Sequence, residues 1–422
     1  MLFNIFKNTV FLIIISPILV LISCAHVSKN KAHVLNTKTD TTATHTKKHT
    51  VAAPIIVGAN KTAHYINLLK AKRVGIVANQ TSVIFKTKGY THLVDSLIKL
   101  NLDIKTVFAP EHGFRGHADA GEVVKDGIDT KTGLPIISLY GKNKKPYPTQ
   151  IKDLDIVIFD IQDVGARFYT YISTLHYVME ACAEANIPVL ILDRPNPNGH
   201  YIDGPVLENK HKSFVGLHPI PVVHGMTIAE YAKMINGQQW LANSVTCKLH
   251  IITVDNYKHS LPYNLPIKPS PNLPNSTAIN LYPSLCFFEG TNVSVGRGTA
   301  HQFQIIGSPY LPLESYNYKF TPKPNFGAKH PKHKNKMCYG LNLTNHKKLS
   351  SLNLEYLISC YNTNQKHPKK PQFFTNFFTK LAGTTQLQQQ IEAGLTAQQI
   401  KQTWQKGLLD YNNMRQAYLL YK

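Results

Sequence analysis

Five short apolar runs that alternate with helical segments, each stopping in polar residues, constrain this chain more than any other feature. They lie at 73–79 (RVGIVAN), 104–109 (IKTVFA), 134–139 (LPIISL), 155–160 (DIVIFD) and 188–192 (PVLIL). Continuous rather than alternating apolar runs suit strands buried on both faces. Between them, Leu93, Leu97 and Leu100 repeat at helical spacing, as do Leu175, Val178, Met179 and Cys182 over 171–185. This alternation predicts an α/β fold built on a parallel sheet with helices on both faces. In open sheets of this kind, ligands sit beyond the carboxyl ends of the strands. Asn79, Glu111, Tyr140, Asp163 and Asp193 follow five such ends and are expected along one edge.

The densest chemistry follows the second run, in VFAPEHGFRGHADAGE at 107–122. Glu111, His112, Arg115, His117, Asp119 and Glu122 crowd together there among small residues. No GxGxxG follows the first run and there is no Walker motif, which argues against a nucleotide cofactor. There is no HExxH and the twenty histidines are scattered, so no metal site is indicated.

Beyond about residue 215 the pattern changes. A short helix is expected over 227–236 and a strand over 246–254. The proline-rich stretch 262–283 reads as extended and irregular. FFEGTNVSVGRGT follows at 287–299, with Arg297 between two glycines. The tail reads as helices broken at Gly394, the last a long amphipathic one carrying Ile400, Trp404, Leu408 and Tyr411. The expected division is a catalytic domain at 55–215 and a smaller α+β domain at 216–422 that completes the cleft.

The N-terminal end points to the cell envelope. Lys7 precedes an apolar run too short to span a membrane, which stops at Leu21-Ile22-Ser23-Cys24. This pattern resembles a bacterial lipoprotein signal. Residues 1–23 are then a signal peptide, and Cys24 is a lipidation site that anchors the chain rather than spanning the membrane, on the periplasmic or outer-membrane side. Residues 24–54, rich in Lys, Thr, His and Asn, cannot bury enough surface to fold and read as a tether. The remaining cysteines, Cys182, Cys247, Cys286, Cys338 and Cys360, are odd in number with no CxxC, and read as buried thiols. The formal charge of +22 is carried partly by the tether and by KHPKHKNK at 329–336. For an exported chain, anionic envelope polymers are the expected partners rather than nucleic acid.

Taken in order, APEHGFRGHADAGE, TGLPIISLYG, FDIQDVGARFYTYIST, LDRPNPNG and FFEGTNVSVGRGT resemble the NamZ-type exo-β-N-acetylmuramidases, formerly a domain-of-unknown-function family. The likeness runs from about residue 55 to a closing W…R…YLLY segment. It implies a Rossmann-like N-terminal domain without nucleotide, a smaller C-terminal domain and a cleft between them. It implies no cofactor, and removal of N-acetylmuramic acid (MurNAc) from the non-reducing end of peptidoglycan fragments, with Glu111 as the catalytic residue. One departure is Ala300, where the family usually carries an acidic residue after GRGT.

Glycoside hydrolysis needs a proton for the leaving oxygen and a second group facing the anomeric carbon. Glu111 is the expected acid. Glu122, Asp163 and Asp193 are candidates for the second group, with substrate assistance by the 2-acetamido oxygen as the alternative. Asp163 could instead cap a loop or helix. The lactyl carboxylate of MurNAc calls for a guanidinium, and Arg167 and Arg297, then Arg115, are the candidates. A structural ion pair is the competing reading for each. Tyr169 and Tyr171 could stack on a sugar face or pack in the core, and His112 could orient Glu111. His224 reads as a buried histidine. Two rival functions remain: an esterase or amidase of envelope glycans, opposed by the lack of GxSxG, and a non-catalytic muropeptide-binding lipoprotein.

Overall fold

The structure is a computed structural model that describes residues 53–116, 122 and 126–421. The proposed lipidation site Cys24, the signal segment and nearly all of the proposed tether lie outside these residues. The strands in chain order are β1 (Val74–Ala78), β2 (Val83–Phe85), β3 (Tyr90–His92), β4 (Ile104–Ala109), β5 (Gly127–Ile128), β6 (Pro135–Ser138), β7 (Ile156–Asp160), β8 (Val189–Leu192), β9 (Leu249–Ile252), β10 (Ile305–Ser308), β11 (Tyr318–Phe320) and β12 (Cys338–Asn342).

Seven of them form the main sheet, in the order β5-β6-β4-β1-β7-β8-β9. Every neighbouring pair is parallel except β5 with β6. The five apolar runs supply β1, β4, β6, β7 and β8. Every residue of β1, β7 and β8 is buried, as expected of strands covered on both faces. The chain leaves β1 to the left and then crosses to the right, so the order reverses beside β1. The switch point therefore lies between β1 and β7, with the ends of β4 and β6 on the same carboxyl edge of the sheet.

The second layer holds an antiparallel three-stranded sheet, β10-β12-β11, and most of the remaining helices. The main sheet also takes its last strand, β9, from beyond residue 215, where the sequence pattern changes. Residues 53–422 form one unit. The larger apolar core runs from Phe159 and Leu175 under the sheet to Phe378, Ile400 and Tyr411 in the tail, and a second one gathers Ile76, Leu93, Leu97, Val107 and Leu190.

Two expectations are corrected. The stretch 262–283 is not irregular throughout, because Ser276–Leu285 is a helix, started by the Asn275 side chain accepting from the Ala278 N–H. Asn at an N-cap satisfies a donor that the first turn leaves orphaned. Pro283 sits near its C-terminal end. The last amphipathic segment is two helices, Ala397–Gln402 and Gln405–Gln416. The Thr403 hydroxyl donates to the Ile400 carbonyl at 2.6 Å, a local bond that competes with helix continuation. Ile400, Trp404, Leu408 and Tyr411 are all buried nonetheless. Cys182, Cys247, Cys286, Cys338 and Cys360 are buried free thiols. Among the described residues, no helix is long and apolar enough to cross a membrane.

Candidate active site

A cleft of about 620 Å³ opens beyond the ends of β4 and β6, and the second layer forms its far wall. Glu111 enters it from the loop after β4. Pro110 precedes it, and His112 and Gly113 both take positive φ, +72° and +77°. A non-glycine residue rarely adopts that conformation, so the turn presenting Glu111 is held by its surroundings.

Hydroxyl groups surround Glu111. Thr170, just before the helix Tyr171–Glu184, donates to its Oε2 at 2.7 Å. The Tyr140 hydroxyl, from the loop after β6, bonds the same carboxylate. Burial, then the Glu111 charge, pushes the Tyr140 phenol above its ordinary range, so it remains a proton donor. Below, Asn79 donates to the Tyr171 hydroxyl at 2.9 Å, and that hydroxyl lies 3.5 Å from the Glu111 carbonyl. The ends of β1, β4 and β6 thus meet around Glu111, with Tyr140 on its carboxylate and Asn79 reaching its backbone carbonyl through Tyr171.

The far wall is built around a short 3-10 turn, Cys286–Gly290. Its Glu289 accepts from Arg297 Nε at 2.6 Å, and the Arg297 guanidinium lies 5.4 Å from the Phe303 ring. Burial works against the guanidinium charge, but Glu289 outweighs it and holds Arg297 above its usual pKa. Lys332 ties the turn down. Its Nζ donates to the carbonyls of Phe288 (2.9 Å), Val293 (3.2 Å), Glu289 (3.4 Å) and Thr291. Burial lowers the Lys332 pKa from 10.5 to about 8. Tyr169, Ser270, Asn272, His330 and Phe377 complete much of the lining. Tyr169 is fixed by donating to the Pro269 carbonyl at 2.8 Å and by edge contacts with Tyr171 and Tyr282.

Of the residues singled out from sequence, Glu111, His112, Tyr140, Tyr169 and Arg297 border this cleft. The others are engaged elsewhere. Arg115 grips Asp129 with two nitrogens, at 3.2 and 2.8 Å, and also reaches Asp95. Arg167 is fully buried and meets no carboxylate among the described residues. It donates to the carbonyls of Pro205, Ile220, Leu381 and Ala382, and burial lowers its pKa to about 9. Asp163 accepts the Gly165 N–H at 2.6 Å and lies against His224, which is buried. That is its capping alternative, in a loop. Asp193 is fully buried, accepting from Tyr421 and the Ala229 N–H. Glu122 pairs with Lys329, next to the residues that border the cleft at 327–328 and 330–332.

Sequence reasoning passed over Glu289, Lys332 and Thr170. Glu289 stood in the quoted FFEG motif, where a carboxylate flanked by two phenylalanines and a glycine was itself a signal. Among the described residues there is no group of three or more His, Cys, Asp or Glu side chains able to hold a metal ion.

A parallel-sheet crevice with hydroxyl-bound and arginine-bound carboxylates on facing walls is the furniture of a glycan-cleaving site. The chain belongs to the NamZ exo-β-N-acetylmuramidase family: residues 74–277 match that family's N-terminal model and residues 280–421 its C-terminal one. It is similar to the peptidoglycan β-N-acetylmuramidase NamZ of Bacillus subtilis, with 40% identity over 377 residues, 85% of this chain and 89% of that protein. Crystal structures of two DUF1343 family proteins from Bacteroides fragilis share the fold. One has 46% identity and a TM-score of 0.79, covering 88% of this chain and 99% of that one. The other has 28% identity and a TM-score of 0.73, covering 87% and 99%.

Proposed function

We propose that this chain is an exo-acting glycoside hydrolase that releases MurNAc from the non-reducing end of peptidoglycan fragments, with Glu111 as the catalytic acid. The observation that carries this reading is the Glu111 cluster at the mouth of β4, in a chain 40% identical to a peptidoglycan β-N-acetylmuramidase. Glu111 has the reach and the fixed orientation that proton delivery to a departing oxygen requires. Thr170 and Tyr140 hold its carboxyl group in one rotamer.

Arg297 is the reader of the lactyl group. Only its Nε is used on Glu289, which leaves the two terminal nitrogens of the fork for a substrate carboxylate. The protein works in the cell envelope, held by a lipid on Cys24. This part rests on the lipobox pattern alone.

The test compares residues 53–422 with the Glu111→Gln variant on MurNAc-GlcNAc, with GlcNAc-MurNAc as the control. Release of free MurNAc from the first substrate alone, lost in the variant, is the expected result. Equal release by both proteins would remove Glu111 from the mechanism, and no release with retained binding would point to a binding protein. Labelling with radioactive palmitate, lost in Cys24→Ser, tests the anchor.

A further inference from the structure

Four observations single out Glu289 as a working group rather than a structural one. It borders the cleft, and its side chain keeps 23% exposure although its turn is packed among Phe287, Phe288 and Phe378. Its Oε1 is fixed by Arg297, while Oε2 meets the Cys286 thiol only at 3.5 Å and so keeps acceptor capacity. Lys332 spends its ammonium on carbonyls of this turn, at Phe288 and Glu289, and of the residues just after it, at Thr291 and Val293. A buried lysine that clamps a turn against movement is what a precisely held side chain needs. Finally, Glu111 and Glu289 both line the same cleft.

The chemistry of the sugar says what Glu289 would meet. This step rests on the reading of Arg297 as the lactyl reader. The lactyl ether is carried on C3 of MurNAc, the acetamido group on C2, and the bond to be broken is at C1. With the lactyl carboxylate on the terminal nitrogens of Arg297, the group bound to Nε of the same planar fork lies beside the neighbouring ring positions. Sharing the cleft with Glu111, it suits the C2 side, next to the bond to be broken.

We propose that Glu289 is the second carboxylate of the reaction and acts through the 2-acetamido group of the substrate. Its Oε2 accepts the acetamido N–H and so aims the acetamido oxygen at C1. That oxygen bonds to C1 as the bond from C1 to the leaving sugar breaks, and Glu111 passes its proton to the departing oxygen. The cyclic oxazolinium ion that results is positively charged, and the Glu289 carboxylate stabilises it. Water then adds to C1, gives a proton to Glu111 and reopens the acetamide. Atoms and charge balance with no co-reactant, and the anomeric configuration is retained.

The experiment uses a series of 4-nitrophenyl β-muramides whose N-acyl group is acetyl, fluoroacetyl, difluoroacetyl or trifluoroacetyl. In the wild-type protein, kcat/KM should fall steeply with each fluorine, because the acyl oxygen becomes a poorer nucleophile. Proton NMR should show the β-anomer as first product. Glu289→Gln should lose on the order of 10²–10⁴-fold in kcat on the acetyl substrate. A flat fluorine series or an inverted product overturns the proposal with wild-type protein alone, whatever the folding of the variants. A Glu289→Gln variant, folded by circular dichroism, with kcat within threefold of wild type also overturns it. Failure of the wild type to cleave any muramide would instead sink the function proposed above.

Discussion

Asp193 and Tyr421, 228 residues apart, share a 2.6 Å hydrogen bond at the edge of the main sheet. Asp193 also takes the Ala229 N–H, and the Tyr421 hydroxyl donates to Asp193 while lying 2.9 Å from the Val254 N–H. Glu230 receives the Leu420 and Tyr421 N–H groups at 2.8 and 3.3 Å. The C-terminal tail is thus sewn to the helix Ile228–Gly237 and to strands β8 and β9.

Burial raises the Asp193 carboxyl from 3.8 to about 6. At Asp193 the native state therefore binds more proton than the unfolded chain between those values, so this residue's contribution to stability falls as pH rises from about 4 to about 6. Asp193→Asn, which cannot ionise, should flatten this slope. Chemical denaturation at pH 4, 5, 6 and 7 would show it, and a variant with the wild-type slope would exclude Asp193 as its source.

Arg167 offers a harsher test. Its guanidinium satisfies four carbonyls, two of them at the end of the helix Asn376–Ala382. Replacement by Met would strand those carbonyls and cost about 3–5 kcal/mol, a large part of the stability of an ordinary domain. Thermal melting of Arg167→Met should show a transition lowered by many degrees or lost. A small shift would mean that water replaces the guanidinium.

Much of this layout was legible in advance. The apolar runs marked the parallel strands because strands covered on both faces leave no polar alternation to confuse them. The polar residues after those runs marked the cleft edge, and Glu111 and Tyr140 do enter it. Asp163, Asp193 and Arg167 belong to the same quoted motifs yet turn inward. Sequence shows that a charged residue is near a strand end. It does not show which side of the backbone the chain's other half will cover. Glu289 and Lys332 were hidden for the complementary reason: 43 residues separate them, and only the fold of the second layer brings the Lys332 ammonium onto the carbonyls around Glu289.

Arg297 should govern selectivity. Removing a charged hydrogen-bond partner costs about 1.5–3 kcal/mol, roughly 10–150-fold in affinity. Arg297→Met should therefore raise KM on muramides by that factor. It should narrow the preference over the matching glucosaminides, which lack the lactyl group. If both sugars suffer equally, Arg297 serves Glu289 and not the substrate.

Lys332→Met would leave the Phe288, Thr291 and Val293 carbonyls without their common donor, at a cost of about 1–3 kcal/mol. The turn bearing Glu289 should loosen, so kcat should fall more than KM rises. A melting curve together with steady-state kinetics separates these effects. Unchanged kcat in a destabilised protein would confine Lys332 to folding.

Glu111 lies near the start of the fold, but two buried groups further along the chain take their partners from its last residues: Arg167 from Leu381 and Ala382, and Asp193 from Tyr421. The cleft itself includes Phe377 and Leu381, so a chain that stops short of them lacks part of the wall that Glu111 faces.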